Sequence, residues 1–468
     1  MFQLFTRKVT KKMKEVRKLV QQILSEEFVE TPKKKLVSLL NSLEFKNDVL
    51  AAGGEIYAVG GIVRDAVMGT PSDDLDIVVR GIPYDKLFAI LSKYGKPTDT
   101  SQNKEDKNFG STKFVSNNDD FNKYLAMNGV ARDIDVMLPR KDAKDPNVKG
   151  HKGIQSDVNP LYTIQDDLER RDITINAIAM DLSGNLISTG SGLEDIKNGV
   201  IRAVNEDAFI EDPLRMLRAV RFAARYNYDW DPGTIKLIKD NAYMLADKQE
   251  LPKERFLMEF KKMIGKSDLG RAVKALVDFG MYEPIFGITP SIDDYSKFDR
   301  AHNVGEFAFM MFENEPLNSI VGLIRNNITN DSYNLSYADA LVKYKDISDM
   351  SLNKLSKINA LASLYKTSRD AMMESSYISE EDKKIIRKFD SGELPRGESD
   401  VEFRGDEYKK FIIDTVRDSL GEFIPKRDGV KMGKAKQQAL QAIYSGDINN
   451  DKKSIELFLT NNKGQWVD

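Results

Sequence analysis

The sequence predicts an α+β protein: a small mixed β-sheet with helices at the front, followed by an all-α neck, body and tail. Three observations carry that expectation. Residues 57–81 run from an apolar strand through Gly60-Gly61 into a helical apolar pattern, then into a second strand pattern holding Asp74 and Asp76. Residues 132–140 and 178–189 repeat short strand patterns with turn residues between them. From about residue 200 apolar residues recur at helical spacing through most of the remaining chain. A period of two marks a half-buried strand, and a period near 3.6 marks an amphipathic helix. A chain of 468 residues has room for roughly two to four domains. The expected bounds are a helical lead-in at 1–54, a head at 55–199, a neck at 200–286, and a body and tail at 287–468.

Composition excludes several classes. Hydrophobic content of 41% and charged content of 31% suit an ordinary globular protein, and no uninterrupted apolar run is long enough to span a membrane. The first 24 residues are basic, Lys-rich and periodic, which reads as an amphipathic helix rather than a cleaved leader, so the expected location is cytoplasmic. Cysteine is absent, which removes disulfides and thiolate metal sites. The two histidines, His151 and His302, are too few for a multi-histidine metal centre. Net charge is -3, so any nucleic-acid contact has to be local. Candidate patches are the first 40 residues and the group Lys426, Arg427, Lys431, Lys434 and Lys436. Either patch suits a phosphate backbone, and either suits a plain solvated face.

In chain order, Ser38, Asn41 and Gly53-Gly54 mark breaks in the lead-in. Tyr57 to Val59 ends a buried strand, and Gly60 and Gly61 let the backbone turn and approach a ligand where a Cβ would intrude. Ile62 to Met68 reads as a helix stopped by Gly69, with Asp65 fixing the turn, and Thr70-Pro71-Ser72-Asp73 as a turn. In Asp74 to Val79 alternation puts both acids on one face and Leu75, Ile77 and Val79 in the core. Carboxylates spaced i, i+2 stand roughly 7 Å apart along a strand, close enough for two metal ions about 3.5–4 Å apart. A calcium loop fails, because Val78 and Val79 occupy positions that need an oxygen ligand and a glycine. The Gly-x-Gly-x-x-Gly dinucleotide pattern is also missing.

After a helix near 84–94 comes a polar stretch at 99–123, expected to be mobile or partly hairpin-like. The strand at 132–140 places Asp133 and Asp135 on one face. Residues 141–166 are expected to form a long polar loop. The stretch AIAMDL, a Ser183-Gly184-Asn185 turn and LIST form a hairpin, and from Val200 the chain turns helical. On the helix 211–225, Arg215, Arg218, Arg221 and Arg225 gather on one side, opposite Met216, Ala219, Val220 and Ala223. Asp212 before Pro213 is a plausible N-cap. Helices follow near 253–260, 270–286, 300–313, 334–346, 353–374, 379–390 and 406–420, with a polar turn at 325–332.

Strand, double glycine, Val63-Arg64-Asp65 helix and Asp74-x-Asp76 strand together resemble the head of class II CCA-adding enzymes and bacterial poly(A) polymerases. Asp167 to Ala177 matches a second family motif, with Ile173 where the family has Phe, and Glu211 to Arg225 matches a third. The region 429–449 is loosely similar to the family's C-terminal helices. The resemblance implies a nucleotidyltransferase head, with Asp74 and Asp76 holding Mg2+ and acting in catalysis. It implies a third acid five residues before an arginine, a spacing met by Asp135 and Arg140, although the family usually has Glu there. Gly60, Gly61 and Arg64 are expected on the triphosphate, and Arg171, Asp172 and Asn176 on the ribose. Asp212 and Arg215 are expected to read the incoming base, with Arg218 and Arg221 beside them. Glu254 and Arg255 either brace that pocket or cap their helix. Too few histidines remain for the extra His-Asp phosphohydrolase domain of some relatives.

A carboxylate acceptor beside a guanidinium donor suits cytosine and adenine alike and mismatches uracil and guanine. The implied activity is therefore template-independent addition of CMP and AMP from CTP and ATP to the 3′ end of tRNA. Enzymes adding only C or only A share these motifs. The alternatives are a poly(A) polymerase and a non-catalytic RNA-binding protein with a degenerate head. The head lacks the strongly basic Arg/Lys-rich signature of the poly(A) enzymes, reading KNFGSTKF in the corresponding place.

Overall fold

The computed structural model describes residues 30–99, 110–144, 154–248, 251–352, 354–391, 393–394 and 437–462. The expected N-terminal amphipathic helix, the helix at 406–420, His151 and the basic group at 426–436 lie outside the described residues. The chain divides into two compact units, 1–259 with 274–288, and 260–273 with 289–468. The segment 260–273, inside the expected neck, thus packs in the second unit.

The first unit begins with helices α1 (Glu30–Asn41) and α2 (Lys46–Ala51). Helix α1 runs through Ser38, the expected break, because Leu36, Leu39 and Leu40 are buried and extend its apolar face across that residue. Asn41 Nδ2 donates to the Leu182 carbonyl at 2.8 Å, which ties the lead-in to the head. Then follow β1 (Glu55–Val59), α3 (Gly61–Met68), β2 (Asp76–Arg80), α4 (Tyr84–Tyr94), β3 (Gly95–Asp99) and β4 (Ser111–Ser116). Next are α5 (Asp119–Met127), β5 (Asp133–Met137), β6 (Arg140–Lys144), β7 (Ile154–Val158) and α6 (Ile164–Glu169). A 3-10 turn at Thr174–Asn176 leads to β8 (Ile178–Asp181) and β9 (Leu186–Ser188).

Seven strands form one sheet in the order β3-β4-β5-β2-β1-β8-β9. The sheet is mixed, as expected: β2 and β5 run parallel, and its other neighbours are antiparallel. Helix α3 packs on β1 and β8, and α6 packs on β8 and β9. Both faces of the sheet centre are covered, so Ile77, Val78 and Val79 are all fully buried. Simple alternation would have left Val78 outside; instead it joins Val59, Ile164, Leu168, Ala177 and Ala179 in one apolar cluster.

Among the described residues of the expected loop at 141–166, most lie in regular structure. Strands β6 and β7 pair antiparallel from Arg140↔Val158 to Lys144↔Ile154. Helix α6 then opens with a capping box: Thr163 Oγ1 accepts from the Asp166 N–H, and the Asp166 carboxylate accepts from the Thr163 N–H. In the polar stretch 99–123, β3 and β4 do form a hairpin.

After α7 (Gly192–Asn198), Val200 enters a strand rather than a helix: β10 (Val200–Ile201) pairs parallel with β11 (Asp229–Trp230). Between them lie α8 (Ala208–Glu211) and α9 (Leu214–Tyr226). In the second unit the helix Val304–Phe312 is buried at all nine positions and forms its centre. The buried Glu306 on it accepts hydrogen bonds from Ser375, Ser376, Tyr377 and His302. A helix at Leu317–Asn327 takes in the first three residues of the expected turn, and the span 353–374 is two helices, Lys354–Thr367 and Arg369–Glu374.

Candidate active site

Gly60 has φ of 72°, and a Cβ built on it would lie 2.7 Å from Arg171 Nη1 and 3.8 Å from Asp76 Oδ2. The positive φ favours glycine there, and the close atom is the end of the Arg171 side chain. Gly61 meets only ordinary contact, 3.7 Å from Arg64 Nη2. Asp76 opens β2, while Asp74 is exposed two residues before the strand, which begins two residues later than alternation suggested. Parallel pairing sets Asp76 opposite Asp135, and antiparallel pairing sets Asp135 opposite Lys113. Lys113 Nζ lies 3.0 Å from Asp133 Oδ2 and 3.3 Å from Asp135 Oδ2. Burial pushes the Asp76 carboxyl above its ordinary value, Arg171 pulls it down, and the Asp135 and Asp74 carboxylates push it up again. Oxygen donors of this kind suit a hard divalent cation, whose charge would relieve that repulsion. Asp135 is the parallel-register partner of Asp76, and its carboxylate is one of those that raise the Asp76 carboxyl.

Arg171 is anchored by Asp167, Nη2 to Oδ2 at 3.0 Å, while its buried Nε has no hydrogen-bond partner. The Nε of Arg140 lies 3.2 Å from Asp142 Oδ1, and burial and then neighbouring Arg170 depress this guanidinium's affinity for its proton. Arg171, which acts on Asp76 and has a buried Nε without a hydrogen bond, offers a donor for an anionic oxygen there.

Arg64 does not face that seat. Its side chain is 5% exposed, paired with Asp65 at 2.7 Å, and lies over the rings of Phe222 and Tyr226, each centroid 5.1 Å from Cζ. Arg64 Nη1 donates to Asn176 Oδ1 at 2.5 Å, Asn176 Nδ2 to Asp172 Oδ1 at 3.0 Å, and Arg218 Nε to Asp172 Oδ2 at 2.8 Å. One chain of hydrogen bonds therefore joins α3, the 3-10 turn and α9. Burial opposes ionisation of Asp172, but Arg218, Asn176 and the Ile173 N–H outweigh it and hold the carboxyl well below the usual range.

The arginine row of α9 is not a solvated face. Arg221 pairs with Glu259 at 2.6 Å. Arg215 donates to Glu211 Oε2 at 2.7 Å and to the Ala208 carbonyl at 3.1 Å. Arg225 alone of the four is exposed. Asp212 Oδ1 accepts from the Leu214 N–H, as its capping expectation required, and Oδ2 accepts from Arg255 at 3.0 Å. Arg255 thus braces Asp212. Glu259, Lys113 and Tyr226 complete the arrangement from outside the motifs, while Glu211, Asp167 and Phe222 lie within them but were given no role; opposite charge four residues apart in Glu211 and Arg215 is the one signal that pointed to a partner.

Comparison with known proteins agrees with this geometry. The family described as "Poly A polymerase head domain" matches residues 56–202. A second, "Probable RNA and SrmB- binding site of polymerase A", matches residues 227–295. The chain is 26% identical over 431 residues to a CCA-adding enzyme of Ligilactobacillus salivarius, covering 88% of this chain and 94% of that one. It is 31% identical over 251 residues to a CCA-adding enzyme of Bacillus licheniformis, covering 53% of this chain and 56% of that one. Among solved structures it is similar to the Thermotoga maritima CCA-adding enzyme complexed with tRNA, with TM-score 0.61, 19% identity and coverage of 94% and 98%. The Bacillus stearothermophilus CCA-adding enzyme in complex with CTP gives TM-score 0.57, 21% identity and coverage of 93% and 98%.

Proposed function

We infer that this chain, a member of the family that joins CCA-adding enzymes to bacterial poly(A) polymerases, adds CMP and AMP from CTP and ATP to the 3′ end of tRNA without a template. The observation that carries this reading is the meeting of two sites through one dipeptide. Arg171 lies against Gly60 and Asp76, while Asp172 reaches Arg218 on α9. Metal-acid chemistry and nucleotide recognition are thereby adjacent. The similarity to the Ligilactobacillus salivarius enzyme along nearly its full length supports the same activity.

Asp74 and Asp76 would hold a divalent cation, expected to be Mg2+, which when bound activates the RNA 3′-hydroxyl and neutralises charge at the α-phosphate. Arg171 takes the phosphate oxygens, the place sequence had given to Arg64. Gly60 keeps the backbone out of that space. Asp172 and Asn176 form the ribose side, aligned by Arg64 and Arg218. Asp212 and Arg215 read the base, and each is held by an acid-base partner, Arg255 and Glu211, that fixes its orientation before nucleotide arrives.

The test is extension of a tRNA transcript lacking its 3′ end, with Mg2+ and each nucleotide in turn. Addition of CMP, CMP and AMP followed by arrest is the expected result. Both matching family descriptions are named for poly(A) polymerase, so a long A tail would favour that second reading. Folded protein that incorporates nothing would overturn both and leave the RNA-binding alternative. Asp212→Ala is expected to lower kcat/KM for CTP and ATP by at least about tenfold and to admit UTP or GTP, because unpaired polar groups on the base are what reject the wrong nucleotide. Unchanged selectivity would remove Asp212 from base recognition.

A further inference from the structure

We propose that Tyr226, stacked on Phe222, is a positioning residue for ribose selection: the two rings hold the Arg64 guanidinium, and Arg64 in turn sets which way the Asn176 amide points. The proposal rests on the reading that Asp172 and Asn176 form the ribose side of the nucleotide site.

Arg64 is held by an edge, a face and an end. Its Nε and Nη2 lie 2.8 Å and 2.7 Å from Asp65 Oδ1, which fixes one edge of the guanidinium plane. Its Cζ stands 5.1 Å from the ring centroids of both Phe222 and Tyr226. Those rings, one helical turn apart on α9, are parallel within 6° with centroids 6.1 Å apart, so one cation can lie against both. Tyr226 is itself anchored. Its hydroxyl donates to Asp65 Oδ1 at 3.3 Å, and its ring packs at 5.7 Å against Tyr228, whose hydroxyl donates to the Ile196 carbonyl. At the far end of the guanidinium, Nη1 reaches Asn176 Oδ1 at 2.5 Å.

Donor and acceptor chemistry then decides the amide. A guanidinium can only donate, and an ionised carboxylate can only accept. Arg64 requires the amide oxygen on its side, and Asp172 Oδ1, 3.0 Å from Nδ2, requires the nitrogen on the other. One N–H of Nδ2 goes to Asp172, and the second is the donor that can meet a ribose 2′-hydroxyl. With Arg64 loosened, this buried amide loses the partner that sets its orientation, and a nucleotide without the 2′-hydroxyl loses part of its disadvantage.

The experiment compares kcat/KM for a single addition of CTP and of dCTP to a tRNA transcript lacking its 3′ end, with thermal melting as a check on folding. If the protein adds only A, the same ratio is read with ATP and dATP. Arg64→Lys keeps the charge but loses the planar fork, and is expected to lower the preference for the ribonucleotide about tenfold, the worth of one hydrogen bond. Tyr226→Leu is expected to lower it about three- to fivefold, while Tyr226→Phe, which keeps the ring, stays within about twofold of the wild type. A change that merely loosens the fold lowers both rates together and leaves the ratio alone. In an Asn176→Ala background, Tyr226→Leu is expected to have no further effect on the ratio. A further drop there would overturn the proposal, as would an unchanged ratio in folded Tyr226→Leu protein while Asn176→Ala lowers it. If Asn176→Ala itself leaves the ratio unchanged, or the wild type shows no preference, the ribose reading falls and takes this proposal with it.

Discussion

At the scale of single residues, the site is a set of charges held in tension. Asp76 is raised above its ordinary value chiefly by burial, so its ionised form is disfavoured in the fold. Such a group costs stability above its raised value, and the cost vanishes as pH falls through it. Asp76→Asn is therefore expected to raise the melting temperature of the metal-free protein at pH 7.5 while cutting nucleotide incorporation by at least about 10²-fold; a lower melting temperature would contradict the burial cost assigned to the ionised carboxylate. Asp172 is the opposite case. Its depressed value contributes stability that is full above the ordinary carboxylate value and is lost as pH falls toward the depressed one. Asp172→Asn strands Arg218, and the expected loss in urea unfolding is about 2–3 kcal/mol, below the figure for a fully buried pair because the arginine side chain is 34% exposed. The acids themselves were legible in the sequence from their i, i+2 spacing. Arg64 was not, since its partners Asn176 and Phe222 lie more than a hundred residues away.

At the scale of elements, sequence patterns worked wherever apolar periodicity decided the structure and failed where charge did. The hairpin of β6 and β7 has the strand sequences RKDAK and IQSDV, which carry too little apolar alternation to signal a strand. Its inner residue Asp142 is instead neutralised by Arg140 at 3.2 Å and Arg170 at 3.4 Å. The Phe260 and Phe307 ring contact at 5.2 Å shows the other regime, in which helices are located by their apolar faces. Helix α6 depends on its cap, so Thr163→Ala is expected to cost about 1 kcal/mol in denaturant unfolding. Gly192 at the start of α7 lets that helix approach the turn that carries Asn176: an added Cβ would lie 2.6 Å from the Thr174 carbonyl oxygen. Backbone must shift to admit it, so Gly192→Ala is expected to destabilise by about 1–3 kcal/mol and to raise KM for nucleotide. A variant with wild-type stability would show that the turn yields freely.

At the scale of the whole molecule, the chain crosses between its two units more than once, so neither is a single continuous segment. A fragment of residues 30–288 retains every described strand of the head, but also carries Phe260, Met263, Leu269 and Val273, which are buried in the full chain and belong with the second unit. It is expected to fold its head and to self-associate through that exposed segment, as read by size-exclusion chromatography; a monodisperse monomer would argue that the segment packs equally well without the second unit. Among the described residues no helix is long and apolar enough to cross a membrane, in line with the absence of a long apolar run in the sequence. By itself the sequence determined the mixed sheet, the helical remainder, the paired acids and the family resemblance, because each depends on local periodicity or on short motifs of fixed spacing. Only the tertiary structure decided which arginine faces the acids, which one fastens α3 to α9, and where Lys113 stands. Those outcomes depend on registers between strands and on which opposite charge burial brings nearest, and neither is encoded within a single stretch of chain.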